Sequence, residues 1–321
     1  MNRTEFLQQC AAITEAEKAE EARKMRERAG ERIPPTVAAF ARSLDTVTTA
    51  EHRIAETAVG KLEYDAVRAN DAKAPMPIVI NVHGGGWCLK HSERDVYFCR
   101  RMAVRTGCLF LDLDYGLSPE HPYPYAIEQI EGFLNLLPEL AETLGGDPRR
   151  VQFCGQSSGA NLLAAVSQRR RYTDRVRVIG QVLGYPPADI LHEHFDGQEL
   201  DERGRTTELY GVFYCPNFED RKNSDVSIAL ARPEELRHVP ATDMMLCGHD
   251  VLNREGQRYY EALLDAGVPV TQHFFAQSRH SFLVNMVDEW QDGDAFVAAS
   301  LNRHLQEATE EENGTEVSES L

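Results

Sequence analysis

The chain has 321 residues, 42% of them hydrophobic, and 51 acidic against 34 basic side chains give a formal net charge of −17. That is enough apolar material for a substantial core, in one large domain or two small ones. The acidic balance argues against nucleic acid or an anionic membrane as the main partner, because both reward clustered Lys and Arg.

Residues 1 to about 50 are rich in Ala, Glu, Lys and Arg and read as helices. Thr14 and Glu17 have capping-box spacing, and the prolines of "RIPPTVAAFARSL" precede a second helical stretch. The opening "MNRTEFLQQC" has no apolar signal core, and no apolar run approaches the roughly 18 residues of a membrane span. A cytoplasmic, soluble protein is therefore expected. From Glu56 the texture changes: "TAVGKLEYDAVRA" suggests paired strands, and "PIVINV" (77–82) suits a buried parallel strand. Further apolar runs follow at 108–115, 150–154, 178–186, 243–248 and 270–275, separated for the most part by helical patterns at 92–105, 124–144, 159–171, 254–266 and 287–306. This alternation predicts an α/β fold with a mostly parallel central sheet and helices on both faces.

Three stretches stand outside that rhythm. Residues 1–50 and an insertion at about 191–240, too long for a simple connection, are candidates for a helical cap over the C-terminal edge of the sheet; 51–306 form the core. Residues 307–321 carry Glu307, Glu310, Glu311, Glu312, Glu316 and Glu319 and read as an acidic disordered tail. The basic run "RRRYTDRVR" (169–177) reads as the solvated end of a helix. The seven cysteines lack metal-site spacing and behave as small hydrophobes, so neither metal nor cofactor is expected.

The chemistry begins at "VQFCGQSSGANLLAAV" (151–166), where a strand, a serine between spaced glycines and a helix follow one another. Gly155-Gln156-Ser157-Ser158-Gly159 fits G-x-S-x-G in the context that gives the pattern weight. So sharp a turn strains the serine, and glycines two positions away on each side let the helix approach the strand. The helix N-terminus behind Ser157 directs free N–H groups at developing negative charge. A second constellation, His83-Gly84-Gly85-Gly86-Trp87, directly follows "PIVINV". Its glycines suit an oxyanion hole built from the amides of Gly85, Gly86 and Ser158, with Gly84 shaping the turn. A phosphate cradle would need a following Gly-Lys-Ser/Thr, which is missing. His83 is read as a loop-fixing residue.

HGGGW, "DYGLSPEHPYP" (114–124) and "GQSSGANL" (155–162) together resemble the hormone-sensitive-lipase-like branch of the α/β-hydrolases, bacterial family IV, from about residue 56 to about 305. The resemblance implies the α/β-hydrolase fold with a helical cap. It also departs from the usual motifs at Gln156, Ser158, Ala160, Gly116 and Lys90, the last standing where a glycine is often found. A serine hydroxyl needs a histidine to take its proton and a carboxylate to fix that histidine's tautomer, in the chain order Ser, acid, His. Asp250 in "MMLCGHDVLNREG" lies just past a strand and matches the branch's D-P-L-R-D-E-G; His280 in "HFFAQSRHSF" follows the next strand and matches its HGF. His249 and His273 are weaker candidates for the base, Glu255 reads as a helix cap, and His192-Glu193-His194 has no third ligand at a workable spacing for a metal.

The expected function is a serine carboxylic-ester hydrolase. The resemblance implies short acyl chains, a small-molecule ester as partner and dimers through late strands or helices. Two alternatives stand beside it. An arylformamidase or other amide hydrolase would use the same triad. A non-catalytic binding protein on a hydrolase frame, as in plant gibberellin receptors that resemble this family, would lack the histidine that stands here as His280.

Overall fold

The computed structural model describes residues 1–29, 35–192 and 199–319. Eight strands form one sheet: β1 (Thr48–Thr57), β2 (Gly60–Ala69), β3 (Met76–Val82), β4 (Leu109–Asp114), β5 (Gly146–Gln156), β6 (Val178–Gly184), β7 (Thr242–His249) and β8 (Val270–Arg279). Their order is β1-β2-β4-β3-β5-β6-β7-β8. β2 pairs antiparallel with both β1 and β4, and every pairing from β4 to β8 is parallel. The expected α/β-hydrolase architecture is thus present.

The apolar runs are near-continuous because the parallel strands are covered on both faces. Side chains alternate between two cores with the period of a strand. Ile78, Ile80, Val82, Leu109, Leu111 and Leu113 join one cluster, with α5 (Tyr125–Leu144), α6 (Ser158–Arg169) and α9 (Asn253–Asp265). Val79, Phe110, Cys154, Val182, Met245 and Cys247 join the other, with α4 (Glu93–Thr106) and α11 (Trp290–Glu319). All seven cysteines are buried and unpaired. Among the described residues no helix is long and apolar enough to cross a membrane.

Buried ion pairs tie the layers. Arg101 of α4 meets Asp294 of α11 at 2.8 Å, with both side chains almost wholly out of water. Arg169 pairs with Glu131 and Asp225 at 3.0 and 3.1 Å and is 7% exposed, so the first arginine of the basic run lies under cover rather than in solvent. The expected disordered tail also differs: α11 continues past Gln306 to Glu319, where Arg177 pairs with Glu311 and Glu312. The Arg177 pairs offset part of the repulsion among neighbouring glutamates. Residues 320 and 321 lie outside the described residues.

A third apolar cluster sits apart from the sheet. α1 (Arg3–Cys10) and α2 (Glu15–Ala29) contribute Phe6, Cys10, Ala22 and Met25; α7 (Glu202–Tyr214), from the long insertion, contributes Val212 and Phe213. Thr14 and Glu17 cap α2 reciprocally, as their spacing suggests. Arg3 locks α1 to α7 through a buried 2.7 Å pair with Glu208 and a bond to the carbonyl of Leu191. α3 (Pro35–Leu44) and the short helices α8 (Pro233–Leu236) and α10 (Phe282–Asn285) complete the described helices of four residues or more, apart from brief 3₁₀ turns.

Candidate active site

Ser157 stands between the end of β5 and the first turn of α6 with φ 53° and ψ −124°, a conformation that L-residues hold only under constraint. Its own N–H donates to the carbonyl of Gly184 at 2.8 Å, and its carbonyl accepts from Asn161. The glycines around it are required by close approach. A Cβ on Gly159 would run into the carbonyls of Val82 and His83, and one on Gly155 would come within 2.8 Å of the Ala160 nitrogen. Helix α6 therefore lies against β3 only because position 159 has no side chain.

The loop after β8 carries His280, and the loop after β7 carries Asp250. The structure brings both to Ser157: His280 Nε2 is 2.9 Å from Ser157 Oγ, and His280 Nδ1 is 2.6 Å from Asp250 Oδ2. The Asp250 side chain is 2% exposed, and its other oxygen accepts the Leu252 N–H at 3.1 Å. With Asp250 accepting at Nδ1, the neutral imidazole carries its proton there and keeps Nε2 as a base. Tyr185, at the end of β6, sets its ring edge-on to His280 with centroids 5.0 Å apart.

The glycine loop lies alongside. An added Cβ on Gly84 would be 3.2 Å from the Cβ of Ser157, which measures how closely the two segments pass. Cys88 and Leu89 both donate to the carbonyl of Gly85, folding the loop back on itself. Among the described residues, the amides of Gly85, Gly86 and Ser158 donate to no carbonyl or side chain. Free amides of this kind can receive negative charge. His83 is buried, its Nδ1–H donates to the Gly84 carbonyl at 2.7 Å, and its ring stacks on Tyr115 at 4.5 Å. It holds the loop.

The other expected residues lie elsewhere. His249 is exposed at the end of β7, and His273 is exposed on the edge strand β8. Glu255 stands in the first turn of α9, and its carboxylate accepts the Ala188 N–H at 2.8 Å, fixing the segment after β6. His192 binds the buried carboxylate of Asp189, while Glu193 and His194 lie outside the described residues.

A cavity of about 260 Å³ joins Ser157, His280 and the Gly85–Gly86 turn to α7. Pro187, Ile190, Tyr210 and Leu252 give it apolar walls. Tyr210 of α7 overlies Gly86, and Arg26 of α2 donates to the carbonyls of Cys88 and Ser118 and to Glu120. Sequence reasoning did not find Tyr210, Tyr185 or Arg26. Only Tyr185 had a usable signal, since it directly follows a strand next to the one that leads into Ser157.

Fold and site geometry together define an α/β-hydrolase. A family model described as alpha/beta hydrolase fold matches residues 79–284, and the chain belongs to that family. It is 31% identical to esterase LipI of Mycobacterium tuberculosis over 207 residues, covering 63% of this chain and 64% of LipI. It is 32% identical to carboxylesterase NlhH of the same species over 202 residues, covering 61% of this chain and 63% of NlhH. The shared stretch is less than two thirds of either relative's own length. Among solved structures, a hyperthermophilic esterase from the archaeon Pyrobaculum calidifontis superposes with a TM-score of 0.75 at 23% identity, covering 88% of this chain and 93% of that one; the likeness is one of fold.

Proposed function

We propose that this chain hydrolyses carboxylic esters of short acyl groups through an acyl-enzyme on Ser157. The observation that carries the reading is the line Asp250–His280–Ser157, at 2.6 and 2.9 Å, beside three amides that have no acceptor among the described residues. The names of the relatives, esterase and carboxylesterase, point the same way.

In this mechanism the Ser157 hydroxyl passes its proton to His280 Nε2 as Oγ bonds to the ester carbonyl carbon. The carbonyl oxygen becomes an oxyanion and accepts from the amides of Gly85, Gly86 and Ser158. The protonated His280 is held by the Asp250 carboxylate. It then gives its proton to the departing alkoxide, leaving an ester on Ser157. Water enters, loses a proton to the same nitrogen and releases the acid and the free serine. The small cavity supports short acyl groups, since 260 Å³ lies below the usual range of about 300–1,000 Å³ for small-molecule sites.

The test is labelling of Ser157 by a fluorophosphonate, with rates on p-nitrophenyl acetate, butyrate and octanoate and on an aryl formamide. An adduct at Ser157 and falling rates beyond butyrate support the proposal. Preference for octanoate overturns the short-acyl part, preference for the formamide moves the chain to amide hydrolysis, and no adduct in folded protein makes it a binding module.

A further inference from the structure

Leu89 lines a second cavity, of about 360 Å³, in which the ester mechanism has no step. Lys90, His91 and Arg94 supply one wall, between the glycine loop and α4; Arg23, Arg26 and Glu27 of α2 supply another. Most of this charge is already answered. Arg23 pairs with Glu20 and Glu27, and Arg26 with Glu120. Lys90 and Arg94 have no carboxylate partner among the described residues; Arg94 donates only to the side-chain oxygen of Asn285, at 2.7 Å.

His91 adds a third cation. Its Nε2 lies 2.8 Å from Asp112, a wholly buried carboxylate that also accepts from Asn81 at 2.7 Å. Burial works against a charged imidazole, but the Asp112 charge outweighs it and raises the His91 pKa to about 10. His91 is therefore an imidazolium at neutral pH. Its Nε2–H is committed to Asp112, which leaves Nδ1–H as a donor with no acceptor among the described residues. An ammonium, a guanidinium and an imidazolium N–H thus share one concave wall in a protein of strongly acidic composition.

We propose that this cavity is a binding site for a small anion, taking the phosphate or carboxylate group of a metabolite-sized molecule on Lys90, His91 and Arg94. Charge-assisted donors of this kind suit oxyanions. The volume falls within the range of small-molecule sites and exceeds what a bare ion needs. Binding here requires no part of the reaction at Ser157, so it stands apart from the esterase reading.

The test is calorimetric titration of the full chain with inorganic phosphate, glycerol phosphate and citrate at low salt, repeated with Lys90→Glu, Lys90→Gln, Arg94→Gln and Arg203→Gln. Arg203 is an exposed cation on the other, Ser157-bearing cavity and serves as the control. The expected result is saturable binding of at least one probe, weakened at least tenfold by Lys90→Glu, less by Lys90→Gln and Arg94→Gln, and unchanged by Arg203→Gln. Preference for the phosphates or for citrate then tells which group the site takes. The proposal is overturned by no saturable binding up to about 10 mM, which corresponds to under about 3 kcal/mol. It is equally overturned by binding that the Lys90 and Arg94 variants leave intact, or by binding that Arg203→Gln abolishes.

Discussion

The ring of Tyr210 covers Gly86 so closely that a Cβ on the glycine would overlap its ring carbons. Tyr210 of α7 thereby rests on the glycine loop that lines one cavity with Ser157. Gly86 also has φ 59°, so alanine there meets both a backbone penalty and a clash. Gly86→Ala is expected to lower kcat by roughly a hundredfold, the order seen when one oxyanion donor is lost, with fluorophosphonate labelling slowed in parallel. Tyr210→Ala should act differently, raising KM more than it lowers kcat and admitting longer acyl chains. Unchanged kcat in Gly86→Ala would show that the loop accommodates a side chain under Tyr210 without displacing the amide.

Asp250→Asn keeps the size of the side chain but allows it to donate to His280, favouring the wrong tautomer. A loss in kcat of roughly 10⁴-fold is expected, with thermal stability close to the parent. A loss below tenfold on p-nitrophenyl acetate would show that His280 does not depend on this carboxylate.

Arg101 and Asp294 form a pair that is almost completely removed from water, with Arg101 also donating to the Leu283 carbonyl. Removing one charge strands the other. Arg101→Met should cost about 3–5 kcal/mol in urea unfolding, and the double change with Asp294→Leu should recover much of it. A single variant as stable as the parent would contradict this account of how α4 is joined to α11.

His91 has a pKa raised from 6.5 to about 10 by the Asp112 carboxylate against the opposing effect of burial. Because the folded chain holds this proton more tightly, the stabilisation is complete below pH 6.5 and fades as pH climbs towards 10. The difference in unfolding free energy between the parent and His91→Gln is therefore expected to be level on the acidic side and to shrink between pH 6.5 and 10. A difference that grows over that interval would refute the charged assignment.

That Ser157, Asp250 and His280 lie together was expected from the sequence because each follows a strand and falls in a motif of the branch that the chain resembles. The strands were legible for a related reason: two-sided burial writes itself as apolar runs. The cap was not. Tyr210 lies in a helix whose sequence carries no clear apolar face, and its position over Gly86 depends on contacts with α1 and α2 made far along the chain. The Arg169 and His91 pairs were hidden likewise, since Glu131, Asp225 and Asp112 come from other elements and only the folded register brings them near. The helical continuation of α11 past Gln306 escaped composition because its partner, Arg177, stands over a hundred residues earlier.

The buried cysteines have a practical consequence. With every thiol enclosed, and Cys88 and Cys215 held near pKa 11 by burial, alkylating dyes have no ready target on the native surface. Dye uptake then becomes a clock for opening: Cys10 and Cys88 would report loosening of the cluster of α1, α2 and α7, while Cys99 and Cys154 would stay dark until the sheet itself came apart.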